Sequence, residues 1–312
     1  MPIDPQLAAM FAGSENWPSV RSRPIPELRE AVRSSSTQLP PPPGVELAGV
    51  ADRTVPGPAG AIPVRIYTPQ GDGPFPVITY FHGGGFVVGD LDTQDMIARG
   101  LCAGAASVVV SVDYRLAPEH KFPAAFEDGY AATRWAAEHA TEIGGDPTRL
   151  GVAGDSAGGV IACAVAVMAK EADGPDLSVV INWYGPGIHP IPDEGSAIEF
   201  EHGPVLRLDD AHYFWELHIR DESDYDDVRA SPMKASSHAD LPPTFIASAE
   251  CDPIRDAVEA YAPVLESAGV PVQVKRYDGM VHGFVSWIGF LPGAQSAMAD
   301  ACEFANKYLA KA

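Results

Sequence analysis

Residues Gly154-Asp155-Ser156-Ala157-Gly158 constrain the fold of this chain more than any other stretch. They follow the apolar run Leu150–Ala153 directly and open the apolar stretch Ala157–Glu171. The first run has strand character, the second helix character. A serine on so tight a strand-to-helix turn takes a strained backbone conformation. Glycines two residues to either side let strand and helix pass closely. The new helix then aims its free N–H groups and its dipole at the serine side chain. Such a turn exposes a serine for chemistry at the end of a sheet strand; a helix merely capped by Ser156 is the plainer alternative.

The surrounding sequence supplies the sheet. Strand-like runs occur at Ile62–Tyr67, Val77–Phe81, Ser107–Val112, Leu150–Ala153, Val179–Trp183, Thr244–Ser248 and Val272–Tyr277. Several are continuously apolar, as strands buried on both faces are. Helical stretches at Thr93–Ala105, Ala124–Ala140, Ala157–Glu171, Arg255–Ala268 and Gln295–Ala312 alternate with them. This alternation predicts an α/β fold, a mostly parallel sheet flanked by helices. There is no internal repeat. An N-terminal arm (1–44) carries Leu7, Met10 and Phe11 on one helical stripe and ends in the extended proline run Pro40–Pro43. Residues 186–230 break the rhythm, with 12 acidic residues against three basic ones. Within them Leu208–Ile219 reads as a helix opened by Asp209 and Asp210, with Tyr213, Phe214, Trp215 and Leu217 giving it an aromatic face. The expected organisation is a catalytic core of 45–185 and 231–312, with a cap inserted at 186–230.

Charge narrows the partners. The 312 residues carry 42 acidic against 21 basic side chains, a net −21. Nucleic acid and anionic membrane surfaces both require a basic footprint, so neither is an expected partner. A small neutral substrate suits the field better than a polyanion. The longest apolar run, Ala157–Ala169, falls short of the roughly 20 residues that cross a bilayer. Cys102, Cys163, Cys251 and Cys302 are scattered, without metal spacing or a disulfide framework. With no basic segment before Gly13 to mark a secretory signal, the expectation is a cytoplasmic protein.

A nucleophilic serine needs an anion hole, a base and an orienting acid. His82-Gly83-Gly84-Gly85-Phe86 follows the run Val77–Phe81, and its bare backbone N–H groups can converge on a developing negative charge. A phosphate cradle is excluded, because no lysine follows and the overall charge repels phosphate. Both glycine motifs stand at the C-terminal ends of strands, where open α/β sheets place their sites. Nine histidines compete for the base. His282 lies in Gly279-Met280-Val281-His282-Gly283-Phe284, on a loop after the last strand. His82 is embedded in the glycine loop, His120 follows a Pro-Glu turn, and His189, His202, His212 and His218 fall within 186–230. His139 and His238 read as surface residues. Among acids, Asp252 stands just beyond the strand Thr244–Ser248, with Glu250 and Asp256 as rivals. The order Ser156, Asp252, His282 is that of α/β-hydrolases rather than of chymotrypsin or subtilisin.

Taken together, His82–Phe86, Gly154–Gly159, Asp113-Tyr114-Arg115-Leu116-Ala117-Pro118-Glu119-His120, Asp252-Pro253-Ile254-Arg255-Asp256 and His282-Gly283-Phe284 span about 200 residues in one order. In this the chain resembles the hormone-sensitive-lipase-like branch (bacterial family IV) of α/β-hydrolase esterases. The resemblance implies a mostly parallel eight-stranded sheet with a helical cap and a triad of Ser156, Asp252 and His282. It implies oxyanion donors from Gly84, Gly85 and Ala157, with Gly83 holding the loop's shape, and a structural role for Asp113–His120. It implies a serine carboxylester hydrolase for short- to medium-chain acyl esters, working through an acyl-enzyme, without cofactor or metal. Met10, Phe11, Phe86, Asp155, Tyr213, Phe214 and Trp215 are candidates for the pocket wall; ordinary packing is the plainer reading of the aromatic stripe. An amidase, a lactone hydrolase or a dehydratase could use the same triad. A ligand-binding receptor on this scaffold would not need all three triad residues. If the last strand is a sheet edge, it can pair with a second copy of the chain.

Overall fold

A computed structural model describes residues 3–13 and 19–310. Eight strands form one sheet: β1 (Leu47–Gly57), β2 (Gly60–Pro69), β3 (Phe75–Phe81), β4 (Val108–Val112), β5 (Gly145–Asp155), β6 (Leu177–Trp183), β7 (Thr244–Cys251) and β8 (Val272–Val281). Their spatial order is β1-β2-β4-β3-β5-β6-β7-β8. The two pairings that involve β2 are antiparallel, and every later pairing is parallel. The expected α/β class and eight-stranded, mostly parallel sheet are therefore what the chain forms. Every residue of β4 is buried, and so is nearly every residue of β3 and β7. This is why these strands read as unbroken apolar runs.

The helices are α1 (Pro5–Met10), α2 (Ile25–Ser36), α3 (Asp95–Gly104), α4 (Ala124–Glu138), α5 (Ala157–Glu171), α6 (Ser196–Glu199), α7 (Leu208–His218), α8 (Arg255–Glu259), α9 (Tyr261–Ser267) and α10 (Pro292–Leu309). They cover the sheet in two layers, α4 packing on α5 and α3 on α10. The serine turn feeds α5, whose residues are buried almost throughout, so that its apolar character has no solvent side. No helix among the described residues is long and apolar enough to cross a membrane. All four cysteines are buried free thiols.

Several elements depart from the sequence expectation. Strand β1 was not anticipated, because its Ala51-Asp52-Arg53-Thr54 stretch is polar and exposed; it is a strand only because it pairs with β2 across a two-residue turn. The single helix expected over Arg255–Ala268 is two, α8 and α9. Pro263 lacks an N–H, and its ring would clash with the carbonyl of Glu259 four residues back, so α8 ends there. Strand β5 begins five residues before the expected run, and β8 continues to Val281. Helix α10 starts at Pro292, a residue suited to a first helical turn; the last two residues of its expected span lie outside the described residues.

The arm and the insertion meet. Ser19 Oγ and the Val20 N–H donate to Asp210 Oδ1 in α7 at 3.0 and 3.1 Å. Arg21 donates twice to Glu216 (2.8 and 2.9 Å) and lies 4.4 Å over the Tyr213 ring. Strand β8 is the outer strand of its edge of the sheet, carrying the exposed Val274. His238, expected at the surface, is buried, with Nε2 2.9 Å from the Pro232 carbonyl. His139 is half-buried and stacks on Trp135.

Candidate active site

The turn after β5 holds Ser156 at φ 53°, ψ −121°, a conformation costly for any residue with a Cβ. Sterics explain its glycines. A Cβ on Gly158 would overlap the Phe81 carbonyl, and one on Gly154 would overlap the Gly158 carbonyl. Strand β3, the serine turn and the start of α5 can approach this closely only without those atoms.

The strained turn brings Ser156 Oγ to 2.8 Å from His282 Nε2. The imidazole stands on the loop after β8, and its Nδ1 lies 2.7 Å from Asp252 Oδ2. The other carboxylate oxygen of Asp252 accepts the Ile254 N–H at 3.0 Å, which fixes the acid just beyond β7. Asp252 is fully buried and His282 nearly so, while Ser156 keeps partial access to solvent. The rival acids are engaged elsewhere. Glu250 accepts the Gly279 N–H, and Asp256 accepts from Ser196 and Arg255.

The glycine loop after β3 runs alongside. Its first residue is held by a stacked Tyr114 ring, whose hydroxyl donates to the His82 carbonyl at 2.7 Å. Burial pushes the His82 imidazole down to about 4 and so keeps it neutral. The Gly83 N–H donates to Asp155 Oδ1 at 2.9 Å, so it is not free for a ligand. The N–H groups of Gly84, Gly85 and Ala157 make no hydrogen bond among the described residues. Three unspent donors beside a serine whose hydroxyl contacts an imidazole can accept a negative charge developing next to that hydroxyl. The start of α5 adds its dipole on the same side.

The expected wall residues divide. Phe214 of α7 lies against Gly85 so closely that a Cβ there would strike its ring. Phe86 and Trp215 pack away from solvent. They are buried in one aromatic cluster with Phe126 and His218, because the insertion must bury its own apolar face on the core. Tyr213 lies under Arg21, Phe11 packs on Trp287 at 5.4 Å, and Met10 is exposed. Asp155 is interior, with its Oδ1 accepting the Gly83 N–H. His189 and His218 are buried neutral in the insertion; His82 and His120 take no part in the hydrogen bonds of Ser156.

Sequence reasoning missed two neighbours. The Tyr184 ring stands 5.1 Å from His282, edge to face. Val205 comes within 4.0 Å of the place a Cβ on Gly283 would occupy. Tyr184 could have been found as the first residue beyond an apolar strand; Val205 carries no sequence signal. Among the described residues no group of histidine, cysteine or carboxylate side chains could hold a metal ion.

Residues 78–286 match a family model described as the alpha/beta hydrolase fold. Among curated proteins, Esterase LipI of Mycobacterium tuberculosis (strain ATCC 25618 / H37Rv) is 44% identical, the match covering 86% of this chain and 85% of that protein. Carboxylesterase NlhH of the same organism is 43% identical, over 86% of each. Among solved structures, a thermostable esterase from Pseudomonas putida ECU1011 superposes with a TM-score of 0.93 at 32% identity, covering 100% of this chain and 99% of that one. A hyperthermophilic esterase from Pyrobaculum calidifontis gives 0.91 at 33%, covering 98% and 99%.

Proposed function

Because the chain belongs to the α/β-hydrolase fold family, in its hormone-sensitive-lipase-like branch, we propose that it is a serine carboxylesterase whose machinery is Ser156, His282 and Asp252. The observation that carries this reading is the continuous contact from Ser156 Oγ through His282 to Asp252, at 2.8 and 2.7 Å, beside three unspent backbone donors.

The mechanism follows from those positions. His282 Nε2 takes the hydroxyl proton as Ser156 Oγ attacks the ester carbonyl carbon. Asp252 holds the imidazole by its other nitrogen and stabilises the imidazolium that forms. The carbonyl oxygen becomes an oxyanion and accepts from the N–H groups of Gly84, Gly85 and Ala157. Collapse expels the alkoxide, which leaves as alcohol with the proton from His282 and gives the acyl-enzyme. Water then attacks, its proton passing to His282, and Ser156 is regenerated as the acid departs. No step needs a cofactor.

Two features favour short- to medium-chain acyl esters. Phe214 packs against Gly85 of the glycine loop, and Val205 approaches Gly283, the residue after His282. Residues 186–230, tied to the arm through Arg21 and Asp210, then act as a cap over the core. The low positive charge and the acidic surface suit a neutral substrate. The test is hydrolysis of p-nitrophenyl acetate, butyrate, octanoate and palmitate by the wild type and by Ser156→Ala. Rapid turnover of the shorter esters, lost in the variant, is expected. Turnover that survives in Ser156→Ala would refute the nucleophile.

A further inference from the structure

Asp155 is a buried carboxylate that none of the chemical steps above uses, yet it touches both halves of the site. It precedes Ser156 in the chain, so its backbone is part of the serine turn. Its side chain crosses to the other motif. Oδ1 accepts the Gly83 N–H at 2.9 Å and the Tyr80 hydroxyl at 2.6 Å, both inside the protein. The fit is tight, since a Cβ on Gly83 would overlap Asp155 Oδ2. Gly83 is immediately followed by Gly84 and Gly85, whose N–H groups are unspent.

We propose that Asp155 is a positioning residue, holding the donors of the glycine loop in register with the serine by gripping the Gly83 N–H from the position next to Ser156. The assignment rests on the reading of Ser156 as nucleophile and of Gly84 and Gly85 as oxyanion donors. Its physical necessity is plain. Nucleophile and donors lie on different connections, after β5 and after β3. Adjacent strands alone set their separation to the tolerance of a loop. An oxyanion donor must be held within about 0.5 Å of its productive position, so a loop free to shift would waste it. A carboxylate oxygen accepts two hydrogen bonds at once, and here the Tyr80 hydroxyl from β3 fixes the oxygen that Gly83 needs. The other titratable groups facing Asp155 are Tyr114, Tyr184 and His282, and none of them replaces that acceptor.

The experiment compares Asp155→Ala, Asp155→Asn, Gly83→Ala and the double variant Gly83→Ala/Asp155→Ala with the wild type and Ser156→Ala. Two readouts are taken: kcat and KM on p-nitrophenyl butyrate, and the inhibition constant of an aryl trifluoromethyl ketone. That ketone adds Ser156 Oγ across its carbonyl, the hydroxyl proton passing to His282, and leaves an oxyanion in the donor loop. Asp155→Ala is expected to lower kcat about 10²–10³-fold with KM within threefold, and to weaken the ketone by a similar factor. Asp155→Asn keeps an oxygen acceptor and retains kcat within about tenfold. Gly83→Ala breaks the same contact from the opposite side and matches Asp155→Ala, and the double variant falls no more than about threefold below either single one. A kcat for Asp155→Ala within threefold of wild type, or losses that multiply in the double variant, would overturn the proposal. If Asp155→Ala does not fold by circular dichroism, Gly83→Ala and Asp155→Asn decide. An Asn variant as impaired as Ser156→Ala, with ketone affinity unchanged, overturns it as well. A wild type whose turnover survives in Ser156→Ala overturns the site assignment and this role together. Ser156-dependent turnover that is indifferent to Asp155 overturns this role alone.

Discussion

Replacing Asp155 by asparagine should change how stability depends on pH, and the size of the change follows from burial. Desolvation raises the Asp155 carboxyl from 3.8 to about 6, outweighing the hydrogen bonds from Tyr80 and Gly83 that favour its charged form. The native state therefore binds a proton that the unfolded chain has already released between those two values. Stability contributed by this group is lost as pH rises from about 4 to about 6. The full cost of ionisation at pH 8 is about 3 kcal/mol, at 1.36 kcal/mol per unit. At pH 4.5 only about 1 kcal/mol of it has been incurred, so the wild type should lose about 2 kcal/mol relative to Asp155→Asn between the two pH values. Any fixed cost of burying the amide cancels in that difference, as do the other titrating groups that both proteins share. The assay is equilibrium urea unfolding followed by tryptophan fluorescence, at pH 4.5 and pH 8, on both proteins. A stability difference between them that is the same at the two pH values would refute the reasoning. Asp155 would then be ionised at no cost, and the interior around Tyr80, Tyr114 and Tyr184 would not be the low-dielectric site its burial describes.

Two further outcomes follow from the same packing. Gly158→Ala places a methyl group into the Phe81 carbonyl and should destabilise the fold by about 3 kcal/mol or abolish expression of folded protein, as read by circular dichroism; a variant with an unchanged melting temperature would refute the close approach. His218 stacks on Phe86 at 4.0 Å, and burial holds its imidazole down at about 3 from the ordinary 6.5. A lowered base favours the fold above about 6.5 and loses it as the solution is acidified, so His218→Phe should gain about 2 kcal/mol over wild type at pH 5 relative to pH 8. Asp224 and Lys121 face the ring with opposite effects and remain in both proteins. Thermal unfolding at the two pH values decides it, and an equal shift at both would sink it.

Much of this protein was legible in the sequence because its constraints are local. A serine with glycines at both sides, between an apolar strand and an apolar helix, dictates the turn whatever the rest of the chain does. The same holds for three glycines after a strand and for the apolar runs that become β3, β4 and β7, where burial on both faces leaves only one type of residue. The sequence also placed Asp252 and His282 at strand ends, in an order consistent with one site. Chain order alone did not choose Asp252 over Glu250 and Asp256. In the sequence only the family resemblance chose it; in the fold, β7 and β8 deliver their loops so that Asp252 faces His282 while its rivals bond to Gly279, Ser196 and Arg255.

What lay outside the reach of sequence shares one physical reason: a partner distant in the chain. Strand β1 is polar and exists because β2 pairs with it. Phe86 and Trp215 have the composition of a pocket wall but find each other across about 130 residues of chain and close into a core. Asp155 sits in a motif that sequence reading had already singled out, yet its hydrogen-bond partner lies 72 residues earlier. Local backbone sterics set the chemistry each segment can offer. Tertiary packing decided which of those groups meet, since hydrogen bonds and close contacts act over a few ångströms and only the folded sheet brings the two loops that near.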